Sequence, residues 1–233
     1  MSEAHPPIRL LLVGSTGMVG RAVMERLAGD PEFDLVALAR REVRLPSGAQ
    51  MRLADTSLWP EAILQVKPDV VVCALGTTWS KAGRDEDAFR EVDERLVLSV
   101  ARAAKEAGTG HFVFVSSVGA DPLGKTLYLR VKGEVERALG KLGFKRLDIL
   151  RPGLLRGMRR GDLRFLESLG IVLSPVLDLV MHAGRRKYRS IAVERLVDAI
   201  VGLARAKAGG RFVHEHDGLL FAAKRLTAAR GEH

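Results

Sequence analysis

The pattern that most constrains the fold lies in residues 8–29. Residues 8–13, IRLLLV, form a continuous apolar run, which predicts a strand buried on both faces of a sheet. A glycine-rich turn follows at residues 14–20, and residues 18–29 have the amphipathic pattern and terminal glycine of a helix. A buried strand, a glycine turn and a helix in this order are the first unit of a parallel sheet flanked by helices.

Strand and helix signals alternate along the rest of the chain. The predicted strands are residues 8–13, 34–39, 50–55, 69–75, 111–117 and 146–153, with a further candidate at 211–216. The predicted helices are residues 18–29, 85–108, 126–142 and 191–209. This alternation predicts an α/β fold, namely a doubly wound, mainly parallel Rossmann-type sheet of six or seven strands with helices on both faces.

Length and composition favour one domain. With 233 residues, 47% of them hydrophobic, the chain can bury a single core, and no linker or repeat divides it. We predict one domain over residues 1–233, with a small substrate-side region built mainly from residues 154–190. The single cysteine, Cys73, excludes an internal disulfide and is predicted to be a small buried side chain. We find no secretion signal or membrane-spanning run, so we expect a cytoplasmic location.

The net charge of +9 favours anionic partners. Basic residues concentrate at 156–164 and 184–189, but the chain has no DNA-binding motif and only 5% aromatic residues, which disfavours nucleic acid as a partner. We interpret the apolar residues 165–181 as the roof of a substrate pocket, with peripheral membrane contact as the less favoured alternative. His214 and His216 would face one side of the candidate last strand, but without a third ligand we predict no metal site.

The turn at residues 14–20 has the features of a phosphate-binding loop. Its glycines permit a tight turn and let backbone N–H groups approach a phosphate at the helix N-terminus. A glycine loop that binds no nucleotide is the alternative for this motif alone. The residues predicted to contact a dinucleotide here are Gly14, Ser15, Thr16, Gly17, Met18 and Val19.

The end of the second predicted strand indicates which dinucleotide binds. NAD sites usually place an acidic residue there, on the ribose hydroxyls. Asp34 begins this strand instead of ending it, whereas Arg40 and Arg41 follow the strand. Guanidinium groups suit a 2′-phosphate and would have no anion to meet in NAD. We therefore predict NADP(H) in preference to NAD(H), the alternative being that both arginines point into solvent.

Loops after other predicted strands would extend this cofactor site. Asp55, after the third strand, could accept a hydrogen bond from the adenine amino group. Residues 74–83, after the fourth strand, would run beside the ribose and nicotinamide, and the predicted contacts are Leu75, Gly76 and Thr77. An ordinary surface role stays open for both loops.

Two residues on the helix predicted at 126–142 have the spacing of a catalytic pair. Tyr128 and Lys132 lie four residues apart, so their side chains share one face of the helix. A Y-x-x-x-K sequence also arises by chance, and the alternative is two neighbours on a helix surface. The pair becomes more specific because it follows a predicted strand that ends in Ser116 and Ser117.

With these motifs the chain resembles the short-chain dehydrogenase/reductase superfamily, in particular its atypical branch. CALGTTWSKAG, FVSSVGAD, LYLRVKGEVE and LRPGLLRG are similar to the Tat-interacting-protein oxidoreductase group of NADPH-binding proteins, over roughly residues 8–216. The resemblance implies a phosphate turn at the three glycines, a 2′-phosphate contact at Arg40, and a loop beside the nicotinamide after the sixth strand. The residues of that loop are Arg151, Pro152 and Gly153.

The resemblance also implies catalytic roles. Tyr128 would protonate a carbonyl oxygen as hydride arrives, and Ser117, with Ser116 as the rival, would hydrogen-bond that oxygen. Lys132 would favour the tyrosine phenolate and hold the nicotinamide ribose. Many superfamily members carry an asparagine on the helix after the fourth strand, in support of a proton relay. This chain has Asp93 there, so the resemblance does not extend to the relay.

Three functions remain at this stage. We favour an NADPH-binding oxidoreductase that reduces a small carbonyl compound. The second hypothesis is a regulatory protein with little catalysis, in which NADP(H) occupancy controls a surface for a protein partner. The third is a nucleotide-sugar epimerase or dehydratase, ranked last because only residues 154–233 follow the sixth strand and Arg40 disfavours NAD.

Overall fold

The computed structural model describes residues 6–42, 45, 46, 48–156 and 188–231, with side chains as far as residue 226. The predictions that concern residues 157–187 lie outside the described residues. They are most of the substrate-side region, the apolar stretch, and nearly all of the two basic stretches.

The strands are β1 (Ile8–Val13), β2 (Phe33–Ala39), β3 (Gln50–Leu53), β4 (Val70–Cys73), β5 (His111–Val115), β6 (Arg146–Leu150), β7 (Leu155–Arg156), β8 (Ile191–Ala192) and β9 (Gly210–His214). The α-helices are α1 (Met18–Leu27), α2 (Trp59–Val66), α3 (Glu86–Arg90), α4 (Val97–Glu106), α5 (Leu127–Lys141), α6 (Val193–Ala204) and α7 (His216–Gly231). A 3₁₀ turn at Thr56–Leu58 precedes α2, and a π-helical segment at Glu91–Leu96 joins α3 to α4.

Seven of these strands form one parallel sheet in the order β3-β2-β1-β4-β5-β6-β9. The chain moves outward from β1 in one direction and then returns to build the other half, which is the doubly wound arrangement. The predicted α/β fold is therefore confirmed. The short strands β7 and β8 pair separately, also in parallel.

Helices cover both faces of the sheet, which explains why β1 is apolar at successive positions. Leu10 and Leu12 pack in one core with residues of α1, α6 and α7. Leu11 and Val13 pack in a second core with residues of α2, α4 and α5. No helix in the described part of the chain combines the length and apolar character needed to cross a membrane.

The structure corrects several predicted elements. α2 and α7 were not predicted. The strand expected at 211–216 ends at His214, and His216 begins α7, so the two histidines do not share a strand. The helix expected at 85–108 contains the π-helical segment, which inserts an extra residue into one turn. The strand expected at 146–153 stops at Leu150, where the loop that follows β6 begins.

A buried carboxylate connects β5, β6 and β9. Asp148 is fully buried and hydrogen-bonds to Nε2 of His111 at 2.7 Å and to Nε2 of His214 at 2.6 Å. Arg146 donates to both of its carboxylate oxygens. Burial would raise the pKa of Asp148, but these donors outweigh burial and hold the pKa well below its usual range. The polar network thereby ties the edge strand β9 to the sheet.

Candidate functional site

The residues singled out by sequence meet at the carboxyl edge of the sheet. In a parallel sheet all strands end on the same side, so the loops that follow β1, β2, β4, β5 and β6 converge. The glycine turn at residues 14–20 lies at the centre of this edge, because β1 is flanked by β2 and β4.

Close packing of the backbone accounts for two of the turn glycines. Gly14 has a φ of +94°, and a Cβ atom there would lie 2.6 Å from the carbonyl carbon of Ala74. A Cβ atom on Gly20 would lie 2.2 Å from the carbonyl oxygen of Gly14. These glycines let the turn approach the loop after β4 and let α1 start directly above the turn. Gly17 is the N-cap residue of α1.

The N-terminus of α1 fits a phosphate. Gly17 provides no side-chain cap, and the first turn of the helix contains no acidic residue. The N–H groups at Met18 and Val19 lie in this first turn, where the helix dipole favours an anion. Ser15 is 1% exposed, and its hydroxyl oxygen has no hydrogen-bond partner among the described residues. Buried hydroxyl groups without a partner are rare in proteins, and a phosphate oxygen at this position would satisfy the Ser15 hydroxyl.

A cavity of about 650 Å³ adjoins the turn. Two guanidinium groups lie on its wall, together with two carboxylates. Arg21 of α1 donates through Nε to the carbonyl oxygen of Thr16 at 2.9 Å. The lining residues are Thr16, Arg21, Met24, Glu25, Arg41, Glu42, Leu45 and Pro46.

The charged residues in and after β2 and β3 occupy different positions relative to the cavity. Arg40 and Arg41 are both exposed, but of the two only Arg41 is among the described residues that line the cavity. Asp34 lies at the opposite end of β2, where its carboxylate pairs with Arg9 at 2.8 Å. Its ion pair at the amino edge of the sheet excludes Asp34 from the cavity. Asp55 follows β3 at the carboxyl edge and is exposed.

The loop after β4 is attached to the helix that follows it. The backbone N–H of Thr77 donates to Oδ2 of Asp93 at 2.7 Å. Gly76 is exposed, and a Cβ atom there would lie 3.5 Å from Oδ1 of Asp93. Leu75 packs against the core formed with α2, α4 and α5. The predicted contact loop therefore lies directly over a buried carboxylate.

Tyr128 and Lys132 share one face of α5, as their spacing predicted. Lys132 is 2% exposed, and its Nζ lies 2.9 Å from Oδ1 of Asp93. The same nitrogen is 6.0 Å from the centroid of the Tyr128 ring and 5.1 Å from that of Phe114. Tyr128 is half-buried, with its ring 6.1 Å from the ring of Phe89.

The electrostatics keep Tyr128 protonated and Lys132 charged near neutral pH. Burial is the main cause that raises the pKa of Tyr128, and Asp93 raises it further, whereas Lys132 and a hydrogen bond with Ser117 lower it. Burial is the largest single effect and would lower the pKa of Lys132, but the charge and hydrogen bond of Asp93, together with Tyr128 and Cys73, outweigh burial and the pKa is raised.

The two serines after β5 face different partners. The Ser116 hydroxyl donates to Oε1 of Glu136 at 2.5 Å. Ser117 is also buried; its hydroxyl donates to the carbonyl oxygen of Val118 at 3.4 Å, and it lies close enough to the phenol of Tyr128 to lower the pKa of that group. Ser117, Tyr128 and Lys132 therefore form one cluster, and Ser116 belongs to another.

In the loop after β6, the charged group of Arg151 is occupied by an ion pair and the backbone at Gly153 is closely packed. The guanidinium of Arg151 makes a bidentate contact with Glu136, with distances of 3.0 and 2.6 Å, and Glu136 is 2% exposed. A Cβ atom on Gly153 would lie 2.4 Å from the carbonyl oxygen of Arg189. Pro152, which is buried, lies between these two anchors.

Sequence reasoning missed the roles of Asp93 and Glu136. Asp93 follows Phe89 by four residues and precedes Val97 by four, so it occupies a buried position on the apolar face. Glu136 follows Lys132 by four residues, on the face of α5 that carries Tyr128 and Lys132. Charged residues at core positions were the available signal. Cys73 is buried as predicted, and desolvation raises the pKa of its thiol to about 11.

Comparison with protein families gives one match. The model of the family described as NAD(P)H-binding matches residues 14–170. The protein named fmp52, mitochondrial, of Emericella nidulans is 39% identical over 157 residues, which cover 64% of this chain and 67% of that protein. The Saccharomyces cerevisiae protein named FMP52, mitochondrial, is 38% identical over 185 residues, which cover 77% and 76% of the two chains.

These relatives overturn one expectation and refine another. Because they are named as mitochondrial proteins, the expected cytoplasmic location is wrong. The composition could not have shown this, since one buried cysteine does not distinguish one reducing compartment from another. The relatives carry the name Fmp52, not that of the Tat-interacting-protein group.

Solved structures show the same fold at low sequence identity. The oxidoreductase ylbE from Lactococcus lactis superposes with a TM-score of 0.66 at 19% identity, covering 97% of this chain and 98% of that one. A UDP-N-acetylglucosamine 4-epimerase from Bacillus cereus gives a TM-score of 0.65 at 17% identity, covering 96% and 85%. The fold is thus shared by reductases and epimerases, and the choice of chemistry depends on the site.

Proposed function

Because the chain belongs to the NAD(P)H-binding family, we propose that it is an NADP(H)-dependent oxidoreductase that reduces a small carbonyl compound. The observation that carries this proposal is the cluster of Ser117, Tyr128 and Lys132 at the sheet edge that also holds the glycine turn. A short-chain dehydrogenase/reductase type of reaction follows from that cluster.

The turn supplies the groups that would hold the pyrophosphate. The uncapped N–H groups at Met18 and Val19 and the unpartnered hydroxyl of Ser15 are donors for phosphate oxygens. Gly17 keeps the approach to these donors free of a side chain. Gly76 and Thr77, in the loop after β4, would run beside the ribose and nicotinamide, and Asp55, after β3, would accept a hydrogen bond from the adenine amino group.

The cavity beside the turn supports NADP(H) over NAD(H). Arg41 and Arg21 are among its lining residues, and a 2′-phosphate bound in the cavity would be able to pair with their guanidinium groups. Glu25 and Glu42 offset part of this positive charge, so the selectivity depends on placement of the guanidinium groups and not on net charge. The cavity favours Arg41 over Arg40 as the principal contact.

The catalytic residues would complete a simple reduction. When bound, the reduced nicotinamide supplies a hydride for the carbonyl carbon. Tyr128 gives its phenolic proton to the carbonyl oxygen, so that the C=O bond becomes an alcohol. Ser117 hydrogen-bonds that oxygen as negative charge develops on it. Tyr128 then regains a proton from solvent, because its side chain is not fully buried.

One observation favours the regulatory hypothesis as a second candidate. The ammonium of Lys132 is almost inaccessible and is already paired with Asp93, so it offers little to a nicotinamide ribose in this conformation. A protein that binds NADP(H) without turnover would leave this ion pair intact. No observation specifically supports the epimerase hypothesis. The solved epimerase structures are less than 20% identical to this chain and share only its fold.

Substitution of Tyr128 tests the reductase proposal. With NADPH and a panel of aldehydes and ketones, Tyr128→Phe should lower turnover by about 10²- to 10⁴-fold, because the phenylalanine cannot donate a proton. NADPH affinity should stay near the wild-type value. Tyr188→Phe, which removes the chain's other tyrosine, is the matched control and should keep wild-type turnover.

Full activity of Tyr128→Phe would refute the catalytic assignment. If no carbonyl compound is reduced but NADPH still raises the unfolding temperature of the wild-type protein, the regulatory hypothesis replaces the reductase.

A further inference from the structure

Asp93 is a buried carboxylate with both oxygens committed to the active site. The residue is fully buried, with Oδ1 2.9 Å from Nζ of Lys132 and Oδ2 accepting the Thr77 N–H at 2.7 Å. One oxygen thus contacts the catalytic lysine, and the other holds the loop after β4. A charge buried this deeply is costly unless it is paired, so this pairing is what makes the position tolerable.

The local backbone directs Asp93 into the site. It lies in the π-helical segment Glu91–Leu96, where an extra residue widens one turn, a distortion that is common at functional sites. The loop covers the ion pair, since a Cβ atom on Gly76 would lie 3.5 Å from Oδ1 of Asp93 and 3.9 Å from Nζ of Lys132. Water is therefore poorly placed to screen the charges of the pair.

The effect of Asp93 on Tyr128 opposes that of Lys132. A lone ammonium beside a phenol stabilises the phenolate, whereas a carboxylate beside the ammonium offsets part of that effect. The other groups around the phenol do not restore a charge. Ser117 is uncharged, and the thiol of Cys73 stays protonated because its pKa is raised to about 11. The pair of Glu136 and Arg151, one helical turn beyond Lys132, is neutral as a whole.

We propose that Asp93 is a positioning residue that offsets part of the charge of Lys132 at Tyr128, so that Tyr128 acts as a proton donor and the site favours carbonyl reduction over alcohol oxidation. The catalytic consequence rests on the proposed function. The electrostatic part does not, because the ionisation of Tyr128 can be followed without cofactor or substrate.

The test is a spectrophotometric titration of tyrosinate. The chain has two tyrosines, so the ultraviolet titration of the wild type minus that of Tyr128→Phe isolates Tyr128. The titration of Asp93→Asn minus that of the double variant Asp93→Asn/Tyr128→Phe isolates Tyr128 in the same way. Tyr128 should then ionise at lower pH than in the wild type. Asp93→Glu keeps the charge and should titrate near the wild type. Glu134→Gln, which removes a carboxylate of α5 that pairs with Arg90, is the control and should cause no shift.

A Tyr128 midpoint that is unchanged or higher in Asp93→Asn would overturn the proposal, because Asp93 would then serve only to keep Lys132 charged. Circular dichroism establishes whether each variant is folded, and Asp93→Ser provides a second neutral side chain if Asp93→Asn is not. If the protein catalyses the proposed reaction, alcohol oxidation by Asp93→Asn should extend to lower pH than alcohol oxidation by the wild type. Failure to bind NADPH would refute the proposed function and leave the titration result standing.

Discussion

At the scale of residues, two adjacent serines show how position decides role. Ser116 and Ser117 follow the same strand, and each is buried. The Ser116 hydroxyl donates a hydrogen bond to the carboxylate of Glu136, which also accepts from the guanidinium of Arg151. These contacts hold α5 to the loop after β6. Ser117 interacts with the phenol of Tyr128. The sequence left the two serines as rivals. Ser116 is committed to Glu136, whereas Ser117 lies close to the phenol of Tyr128, which favours Ser117 for the chemistry.

Paired substitutions of the serines separate these roles. Ser117→Ala should lower kcat by about 10²- to 10³-fold, the loss seen when one donor to a developing oxyanion is removed, with little change in the unfolding temperature. Ser116→Ala should keep kcat within a few fold but destabilise the protein by about 1–3 kcal/mol, because a buried acceptor loses its donor. Steady-state kinetics and thermal unfolding measure both, and the reverse pattern would assign the catalytic role to Ser116.

At the scale of elements, α5 is positioned by Gly133, the residue that follows Lys132. A Cβ atom on Gly133 would lie 2.3 Å from the carbonyl carbon of Asp121 and 2.3 Å from the nitrogen of Pro122. Only a glycine at this position of α5 leaves room for the backbone of the segment after β5 to pack directly against the helix. Gly140, two turns later, meets just the end of the Arg211 side chain.

The two glycines therefore predict opposite results for the same substitution. Gly133→Ala should destabilise the protein by about 1–3 kcal/mol, because backbone atoms must move, and should reduce turnover since the segment carries Ser117. Gly140→Ala should be neutral or stabilise by up to about 1 kcal/mol, because Arg211 can move aside and alanine is the better helix former. Chemical denaturation of both variants measures this difference, and equal losses would contradict it.

Elements with strong periodicity were predictable, and those held by tertiary contacts were not. β1 matches its apolar run, and α5 extends from Leu127 to Lys141 within the predicted range 126–142. α7 was missed because its apolar residues lack clear helical spacing, although Leu219 and Leu226 pack against α6 and α1 in the core. The ion pair of Asp93 with Lys132 joins residues distant in the chain, which no local pattern contains.

At the scale of the whole molecule, the parallel sheet creates the site by bringing separate loops to one edge. The glycine turn, Arg41, Thr77 and Ser117 come from the ends of four different strands. The sequence could place each of them on that edge, since the rule for parallel sheets is general. It could not rank Arg40 against Arg41, because that choice depends on which side chain faces the cavity.

The central claim is that this edge binds NADP(H), and the most direct measurement is a titration of the purified protein with NADPH and with NADH, following nicotinamide fluorescence. We predict clearly tighter binding of NADPH. Arg41→Ala should weaken NADPH binding by about 10- to 100-fold, the loss of a charge-assisted contact, with little effect on NADH. Arg40→Ala is the matched control and should have a much smaller effect. Equal affinity for the two dinucleotides would contradict the assignment of the cavity to a 2′-phosphate, and binding of neither would contradict the account as a whole.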